Sequence, residues 1–534
     1  MIGLRKLIKT PLRGWRARGG GMPRQRGAVL LVAVALGIAC LGPVTAAVAQ
    51  TLQEALATAY VSNPGLRAAR AELRAVNEQV PQELSNWRPV VSLDGSAGRQ
   101  RTDSTFGGDG FDGLEGLDGG GDGGGGGAES STPLAATLTV TQPLYRGGRT
   151  IAGTRRAENE VRAQRARLTT TEQDVLSQAV TAYMDVWRDQ AVLQLNINNE
   201  RVLQRQLEAT NDRFEVGEVT RTDVAQAESR LSSATADRIQ AEGNLTTSRA
   251  VFQEVVGFAP GILDAPPPLE RLPATLEQTL VQARQANPAI VSATFAERAA
   301  QNQVRVVFGE LLPTVNLSGE LSHEEDQFTS GSESDQAAIL AQVTVPLYQS
   351  GFVSSRVREA KQVANQRRLE VADTRRNVDQ LAISSWQALG TARAQIDSFQ
   401  SAVRATDIAL DGVQQENLVG ARTVLDVLDA EQEFLDARVN LVVAQRDEVV
   451  AGYQVLVAIG RLTAADLQLP VDAYDPEADY EAVRDRWFGI SIPEEKPLLA
   501  PIAATSLTPP PGAGEPLTGT WSGLSPPDKK PTPP

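Results

Sequence analysis

The chain has 534 residues, of which 65 are acidic and 51 are Lys or Arg, and its formal net charge at pH 7 is −14. This acidity argues against nucleic acid as a partner, because like charges repel. Aromatic side chains make up only 5% of the sequence. Since aromatic residues supply much of the volume of compact cores, the composition favours thin layers of helices with small side chains.

Residues 1–49 have the pattern of a secretory signal peptide. A basic region precedes an apolar run at residues 28–41, and the small residues Ala47 and Ala49 mark a cleavage site. The apolar run is too short to span a bilayer. Cys40, the only cysteine, is either a plain signal-peptide residue or a lipid-attachment site. Cleavage after Ala49 leaves no cysteine for disulfides or thiolate metal sites.

The remaining sequence is one unit used twice. The motif TLQEALATAYVSNP at residues 51–64 matches TLEQTLVQARQANP at residues 275–288, and further matches follow along both copies. The first copy is longer because it contains a Gly/Asp-rich tract, residues 106–127, which we expect to be an exposed acidic loop. The predicted divisions are a first repeat at 50–259, a linker at 260–274, a second repeat at 275–469, and a final segment at 470–534 whose Pro-rich part, from Pro476 onward, is a mobile tail.

Each repeat begins with a short helix and a helix of about 24 residues, and it continues through two strands to a very long helix. The unbroken helical patterns run over residues 149–216 and 352–419. A glycine turn then leads into a returning helix of about 39 residues. At 1.5 Å per residue the long helix measures about 100 Å, so the strands lie at one end of a rod and the glycine turns near the other. Heptad spacing indicates lengthwise helix packing, and an ordinary coiled coil explains it equally well.

Four segments alternate between apolar and polar residues, as strands with two different faces do. Their apolar members are Val91, Leu93, Gly95 and Ala97; Leu134, Ala136, Leu138 and Val140; Val315, Leu317, Gly319 and Leu321; and Ile339, Ala341, Val343 and Val345. Such strands suit an outer-membrane barrel, with lipid outside and water inside, and they also suit a soluble sheet with one wet face. No apolar helical run after the leader is long enough to span a bilayer, so a membrane crossing would use strands. Four strands cannot close a barrel, whose lower limit is about eight, so several chains would contribute.

The two glycine turns are the candidate functional region. Gly217 lies in FEVGEVTRTDVAQAE and Gly420 in LVGARTVLDVLDAEQEF. Asp223 and Asp426 each follow a threonine by three residues at a helix start, an arrangement typical of a capping box, and capping alone would explain them. Asp429 lies one turn further along the same face as Asp426, where it is either a solvated surface acid or part of a charged site.

Nothing in the sequence indicates an enzyme, a cofactor or a metal centre. The only histidine, His323, falls in a polar loop, and no Ser/His/Asp set or metal-ligand cluster is recognised. The stretch GGDGFDGLE, at residues 107–115, fits the calcium-binding nonapeptide pattern once, and one copy cannot build a stacked calcium site.

A family resemblance rests on four features together. These are the duplicated unit, an Asn-Pro pair at the start of the second helix of each copy, a PLY motif before each long helix, and VG-x5-D after it. With this combination, residues 51–469 resemble the outer-membrane efflux protein family, typified by TolC. The nearest likeness is VGARTVLDVLDA, at residues 419–430.

The resemblance implies a fold and a function. The fold is that of an α+β membrane protein, a homotrimer in which four strands per chain contribute to one transmembrane β-barrel. The helices form a long antiparallel helical barrel in the periplasm, with an equatorial belt to which residues 260–274 and the segment after Gly460 contribute. The family gives passive exit through the outer membrane to drugs, toxins or proteins. An inner-membrane transporter, ABC-type or proton-driven, and a periplasmic adaptor deliver them.

The resemblance also assigns roles at the glycine turns, which become the periplasmic entrance. Links between the two hairpins hold the entrance shut, and aspartate rings line it. Arg422 takes the place of the arginine of this lock, and Thr222 and Asp223 take the places of its partners. Asp426 and Asp429 occupy the ring positions. Asn417 stands where the family's best-studied members have a tyrosine, so the lock depends more on Arg422 with Asp223.

A rival interpretation is a periplasmic structural or adhesive coiled-coil protein. It explains the leader, the heptads and the acidity, but it does not explain alternating strands at one end of a rod. The sequence does not name the cargo, because drug efflux and protein secretion use the same kind of duct.

Overall fold

A computed structural model describes residues 50–103, 128–267, 269, 272–327 and 331–492. The predicted signal peptide with Cys40, the calcium-like nonapeptide and the Gly/Asp-rich tract lie outside the described residues, and so does the chain after residue 492.

The helices follow the same order in both halves of the chain. In the first half they are α1 (Leu52–Ser62), α2 (Pro64–Asn77), α3 (Gln79–Ser85), α4 (Arg149–Glu215) and α5 (Arg221–Val256). In the second half they are α6 (Leu276–Ala286), α7 (Pro288–Phe308), α8 (Phe352–Leu418) and α9 (Val424–Ala458), followed by α10 (Pro476–Arg484). No helix within the described residues is both long enough and apolar enough to cross a membrane.

The long helices confirm the prediction to within one residue at each end. Helices α4 and α8 have 67 residues each, which corresponds to about 100 Å. The returning helices α5 and α9 have 36 and 35 residues, slightly fewer than predicted. The predicted heptad positions of α4 are buried at Val161, Leu168, Val175 and Ala182, so these helices pack along their length.

The first half departs from the prediction of one continuous second helix. The chain breaks between α2 and α3 at Glu78, whereas α7 in the second half runs without interruption to Phe308. Pro81 explains the difference, because proline lacks an N–H and fits only the first turn of a helix, which is where it lies in α3. The matching position in the second half is Arg305, which carries no such restriction.

The four predicted strands pair into one antiparallel sheet. In chain order the strands are β1 (Val90–Ala97), β2 (Gln100–Asp103), β3 (Ala128–Ser131), β4 (Leu134–Arg146), β5 (Thr314–Glu325) and β6 (Glu333–Thr344). The sheet order is β1-β4-β5-β6, and β2 and β3 pair separately in a hairpin that was not predicted. The prediction that His323 lies in a loop was wrong, because β5 extends past it to pair with β6.

The strand register gives the sheet one apolar face and one polar face. One row across the sheet consists of Leu93, Leu138, Leu321 and Ala337, and the next row of polar residues consists of Asp94, Thr137, Ser322 and Gln336. Leu321 is 56% exposed, whereas the adjacent Ser322 is only 8% exposed. On β5 the polar face is therefore more sheltered than the apolar face, whereas the edge strands β1 and β6 are largely exposed on both faces.

The largest hydrophobic cluster lies where α1 and the 260–274 segment meet the middle of α4. Tyr183 and Phe252 are fully buried there. The hydroxyl oxygen of Tyr183 lies 2.7 Å from the carbonyl oxygen of Gln50 and 2.8 Å from that of Asp264. The predicted linker is thus held against the start of the described chain and the long helix.

The predicted mobile tail was expected to start at Pro476, but residues Pro476–Arg484 form a helix. Pro476 is the first residue of α10, and the side chain of Asp475 caps this helix by accepting a hydrogen bond from the backbone N–H of Glu477 at 2.8 Å. The sequence prediction was wrong here because proline is favoured at the first position of a helix as well as in flexible segments.

Candidate functional site at the glycine turns

Both hairpins reverse direction at a glycine with a left-handed backbone. Gly217 has φ = 81° and Gly420 has φ = 77°, values at which a side chain would be strained. The N–H groups of Glu218 and Ala421 donate to the carbonyl oxygens of Arg213 and Glu416, each at 2.9 Å. These bonds satisfy the last carbonyl groups of the long helices and end them at equivalent places.

The returning helices start with the capping boxes that the sequence predicts. Thr220 donates its backbone N–H to Asp223 at 2.8 Å, and Thr423 donates its backbone N–H to Asp426 at 2.9 Å. In the reverse direction, each threonine hydroxyl accepts a hydrogen bond from the backbone N–H of its aspartate. Hydrogen bonds from the backbone and hydroxyl of Thr423 lower the pKa of Asp426. This aspartate is therefore held in its ionised form at the start of α9.

Each turn is closed by an ion pair, and the two pairs have opposite polarity. In the first turn Arg213 precedes the glycine and its Nε lies 3.4 Å from Glu218. In the second turn Glu416 precedes the glycine and contacts Nε of Arg422 at 2.9 Å. The predicted lock arginine, Arg422, is thus engaged with its own turn and remains about half exposed.

Asn417 links the two hairpins. Its amide oxygen accepts a hydrogen bond from Nη1 of Arg213 at 3.1 Å, and its amide nitrogen donates to the carbonyl oxygen of Arg422 at 2.9 Å. Asn417 is only 8% exposed. The position that stands in for the family's tyrosine therefore has a partner in the other hairpin. Arg213 was not predicted, because its contact with Asn417 joins residues that are 204 positions apart in the chain.

Asp429 makes a second link between the hairpins. Its carboxylate accepts a hydrogen bond at 2.5 Å from Nη2 of Arg230, which lies on α5. The structure thus separates the two predicted ring aspartates: Asp426 caps its own helix, and Asp429 pairs across to the first hairpin. Thr222 is exposed on the first turn of α5, next to the capping residue Asp223.

A small hydrophobic cluster lies beside these polar links. Its buried members come from α4, α5 and α9 and are Leu203, Ala227, Ala234, Val424 and Leu428. This cluster joins the two hairpins, but it buries far fewer apolar side chains than the large cluster around α1 does.

Burial raises the pKa of Glu431, a carboxyl group of this region on α9. Burial disfavours its charged form, while a hydrogen bond from Gln414 at 3.0 Å and the positive charge of Arg205 oppose the effect. Gln414 lies on α8 and Arg205 on α4, so the carboxyl group lies between the two hairpins. Its protonation state thus bears on their contact.

A cluster of polar residues lies at the other end of the molecule, on the β5–β6 hairpin. The ring nitrogens of His323 lie 2.7 Å from Asp335 and 3.3 Å from Glu325. His323, Asp335 and Glu333 also offer ligand atoms within 4.8 Å of one another. This cluster was not predicted, because His323 was expected in a loop and the pairing of β5 with β6 around it was not foreseen.

The sheet and the long helical hairpins together indicate the class of the protein. A sheet with an open apolar face, joined to helical hairpins about 100 Å long, is the architecture of an outer-membrane channel with a helical extension. The structure of the Campylobacter jejuni CmeC outer membrane channel superposes with a TM-score of 0.67 at 17% identity, and the match covers 81% of this chain and 89% of that chain.

Sequence comparison then identifies the family. The chain belongs to the outer membrane efflux protein family, whose profile matches residues 53–257 and 279–461. The outer membrane efflux protein BepC of Brucella suis biovar 1 is 34% identical over 450 residues, covering 84% of this chain and 94% of that protein. The outer membrane protein TolC of Vibrio cholerae is 28% identical over 447 residues, covering 80% of this chain and 95% of that protein.

Several predictions from the sequence are thereby confirmed. The protein is an outer-membrane exit channel with a helical part in the periplasm, and it is a transport protein rather than an enzyme. The rival interpretation as a periplasmic structural or adhesive coiled-coil protein is not favoured.

Proposed function

We propose that three copies of this chain, each built from an internal duplication, close their four-stranded sheets into a single twelve-stranded barrel. The asymmetry of the sheet carries this proposal: one face is apolar and open, and the other face carries mainly polar residues. Strands β1 and β6 lie at the two edges of the sheet. Four strands are too few to close a barrel, and edge strands otherwise invite aggregation, so pairing of β6 with β1 of the next copy resolves both problems.

The height of the apolar face supports placement in a membrane. On β5 it runs from Val315 to Leu321, which is about 20 Å along a strand at 3.3 Å per residue. An outward apolar band about 25 Å tall is usual for outer-membrane barrels. Beyond Leu321 the same face carries His323 and Glu325, paired with Asp335 and Glu333, so the band ends in charged groups where water begins.

The channel is passive in this proposal. Cargo and energy come from an inner-membrane transporter, ABC-type or proton-driven, together with a periplasmic adaptor that contacts the helical end. Family membership supports this division of labour.

The glycine turns form the periplasmic gate. Within each chain, the Arg213–Asn417 and Arg230–Asp429 links hold the α4/α5 hairpin against the α8/α9 hairpin, and opening separates them. Arg422, half exposed, is available with Thr222 and Asp223 for contacts between neighbouring chains. Three copies of Asp426 and Asp429 bring six carboxyl groups near one axis, which attracts cations and gives the entrance a selectivity ring.

Planar lipid bilayers test this function. Purified protein should insert as a pore of low conductance, since the links keep the entrance nearly closed. Variants that remove Arg213 and Arg230 should conduct more. Bilayers that stay silent with the wild type and with these variants would rule out a gated duct.

A further inference from the structure

The segment after α10 follows a defined path toward the sheet. Helix α10 sets this path. Near the start of α10, Glu477 contacts Arg165 of α4 at 3.0 Å, and at the end of α10, Arg484 contacts Glu158 of α4 at 3.6 Å. Helix α10 therefore runs antiparallel to α4, with seven residues of one helix matching seven residues of the other. Since α4 begins at Arg149, directly after β4, the C-terminal segment runs toward the strands.

The segment reaches the base of β1. Nη1 of Arg88 donates a hydrogen bond at 2.8 Å to the carbonyl oxygen of Arg486, and the guanidinium of Arg88 lies 4.6 Å from the ring centroid of Trp487. Arg88 precedes the first residue of β1, Val90, by only two positions. Trp487 therefore lies at the helical end of the sheet, level with the start of its apolar face.

Beyond this point the chain forms a turn around Arg486. The guanidinium donates to the carbonyl oxygen of Phe488 at 3.2 Å, to the carbonyl oxygen of Ser491 at 3.0 Å, and to the hydroxyl of Ser491 at 2.9 Å. Gly489, at φ = 108°, permits the tight reversal. The Arg486 guanidinium thus finds its acceptors within the turn.

The apolar side chains of this turn point away from the protein. Trp487 is 58% exposed, Phe488 87%, Ile490 103% and Ile492 85%. A cluster of large apolar side chains held outward marks a surface that another phase or partner covers. Tryptophan and other aromatic residues are enriched at the headgroup level of membranes, where an apolar ring meets polar groups.

We propose that residues 487–492 form an anchor that inserts into the periplasmic leaflet of the outer membrane at the base of the barrel. The lipid surface is the occupant because the anchor lies beside Arg88, where the apolar face of the sheet begins, so one continuous apolar surface results. The inference rests on the proposed placement of the sheet in the membrane. The anchor ties the helical region to the bilayer through a segment that contributes no strand to the sheet.

Spin labels on single cysteines test the anchor in proteoliposomes of phosphatidylethanolamine and phosphatidylglycerol. The background variant is Cys40→Ser, and the labelled site is Phe488→Cys. Ile339→Cys, 83% exposed on the apolar face of β6, serves as the lipid reference, and Val281→Cys, 48% exposed on α6, serves as the water reference. Collision rates with oxygen and with a water-soluble nickel complex are then compared.

The label at 488 should collide more often with oxygen than with the nickel complex, as the lipid reference at 339 does. The water reference at 281 should show the opposite preference. If the nickel complex reaches 488 as readily as 281 while 339 remains in lipid, the anchor is overturned but the membrane barrel is not. Protection of 488 from both reagents would also overturn it, because protein then covers the turn. A label at 339 that reports water would overturn the barrel and the anchor together.

Discussion

The link between Arg213 and Asn417 gives the sharpest test of the gate. Arg213 lies at the end of the first long helix, and Asn417 lies at the end of the second. Their hydrogen bond of 3.1 Å joins the two hairpins of one chain. Changing either residue to alanine removes this bond. We therefore expect Arg213→Ala and Asn417→Ala each to favour the open entrance, and the double variant to add little to either.

The size of the effect follows from the surroundings. A hydrogen bond to a charged group contributes about 1.5 to 3 kcal/mol. Asn417 is buried, but the Arg213 side chain keeps 32% of its exposure and shares its charge with Glu218. Solvent screening therefore places the coupling energy at about 1 to 1.5 kcal/mol. That energy corresponds to roughly a 5- to 12-fold change in the ratio of open to closed states for each protomer.

Single-channel recording of the wild type, both single variants and the double variant measures this coupling as a double-mutant cycle. Glu218→Ala is the matched control, because it removes the other partner of Arg213 and leaves the bond to Asn417 in place. We expect this control to change the open fraction less than Arg213→Ala does. Fully additive effects in the double variant would show that the two residues do not act through one contact.

Three further predictions concern the same region. Arg230→Asp or Asp429→Arg should each raise the open fraction by up to about 5-fold, since an exposed ion pair is worth about 0.2 to 1 kcal/mol, and the double swap should restore gating in single-channel records. Glu431→Gln should stabilise the contact between the hairpins. Because burial raises the pKa of Glu431, the wild type gains stability as the pH falls through that raised pKa. The variant should lose this pH dependence when thermal unfolding is measured over a range of pH. The combined change of Asp426 and Asp429 to alanine should weaken block by multivalent cations at least several-fold, because it removes six carboxyl groups from the entrance; unchanged block would exclude a ring role.

Much of the fold was predictable because local signals agree with the tertiary structure. The long helices end where Gly217 and Gly420 terminate them, and glycine in this position is readable from sequence. The capping boxes at Thr220 and Thr423 were likewise readable. The alternating strands were recognised because period-two patterns persist over each of them. These features depend on residues close together in the chain.

The unpredicted features depend on contacts between distant elements or on residues with two common uses. The sequence offset between the repeats aligns Asn417 with Phe214, so nothing local indicated that Arg213 is its partner. Asp429 was expected to face an axis or solvent, and its contact with Arg230 depends on how α5 lies against α9. The helix break near Pro81 was not predicted, and Pro476 was misread, because proline ends some helices and begins others. His323 was misplaced because β5 and β6 continue past their apolar part.

Cross-linking across the edges of the sheet shows whether three chains complete one barrel. Val91→Cys on β1 and Ile339→Cys on β6 lie in the same apolar row at opposite edges of the sheet. They are introduced together in the Cys40→Ser background and treated with a flexible bis-maleimide in outer membranes. A closed trimeric barrel should give covalent dimers and trimers with nothing larger on a denaturing gel, and only monomers for either cysteine alone. Monomers only for the double variant, or a ladder that continues beyond three chains, would contradict it.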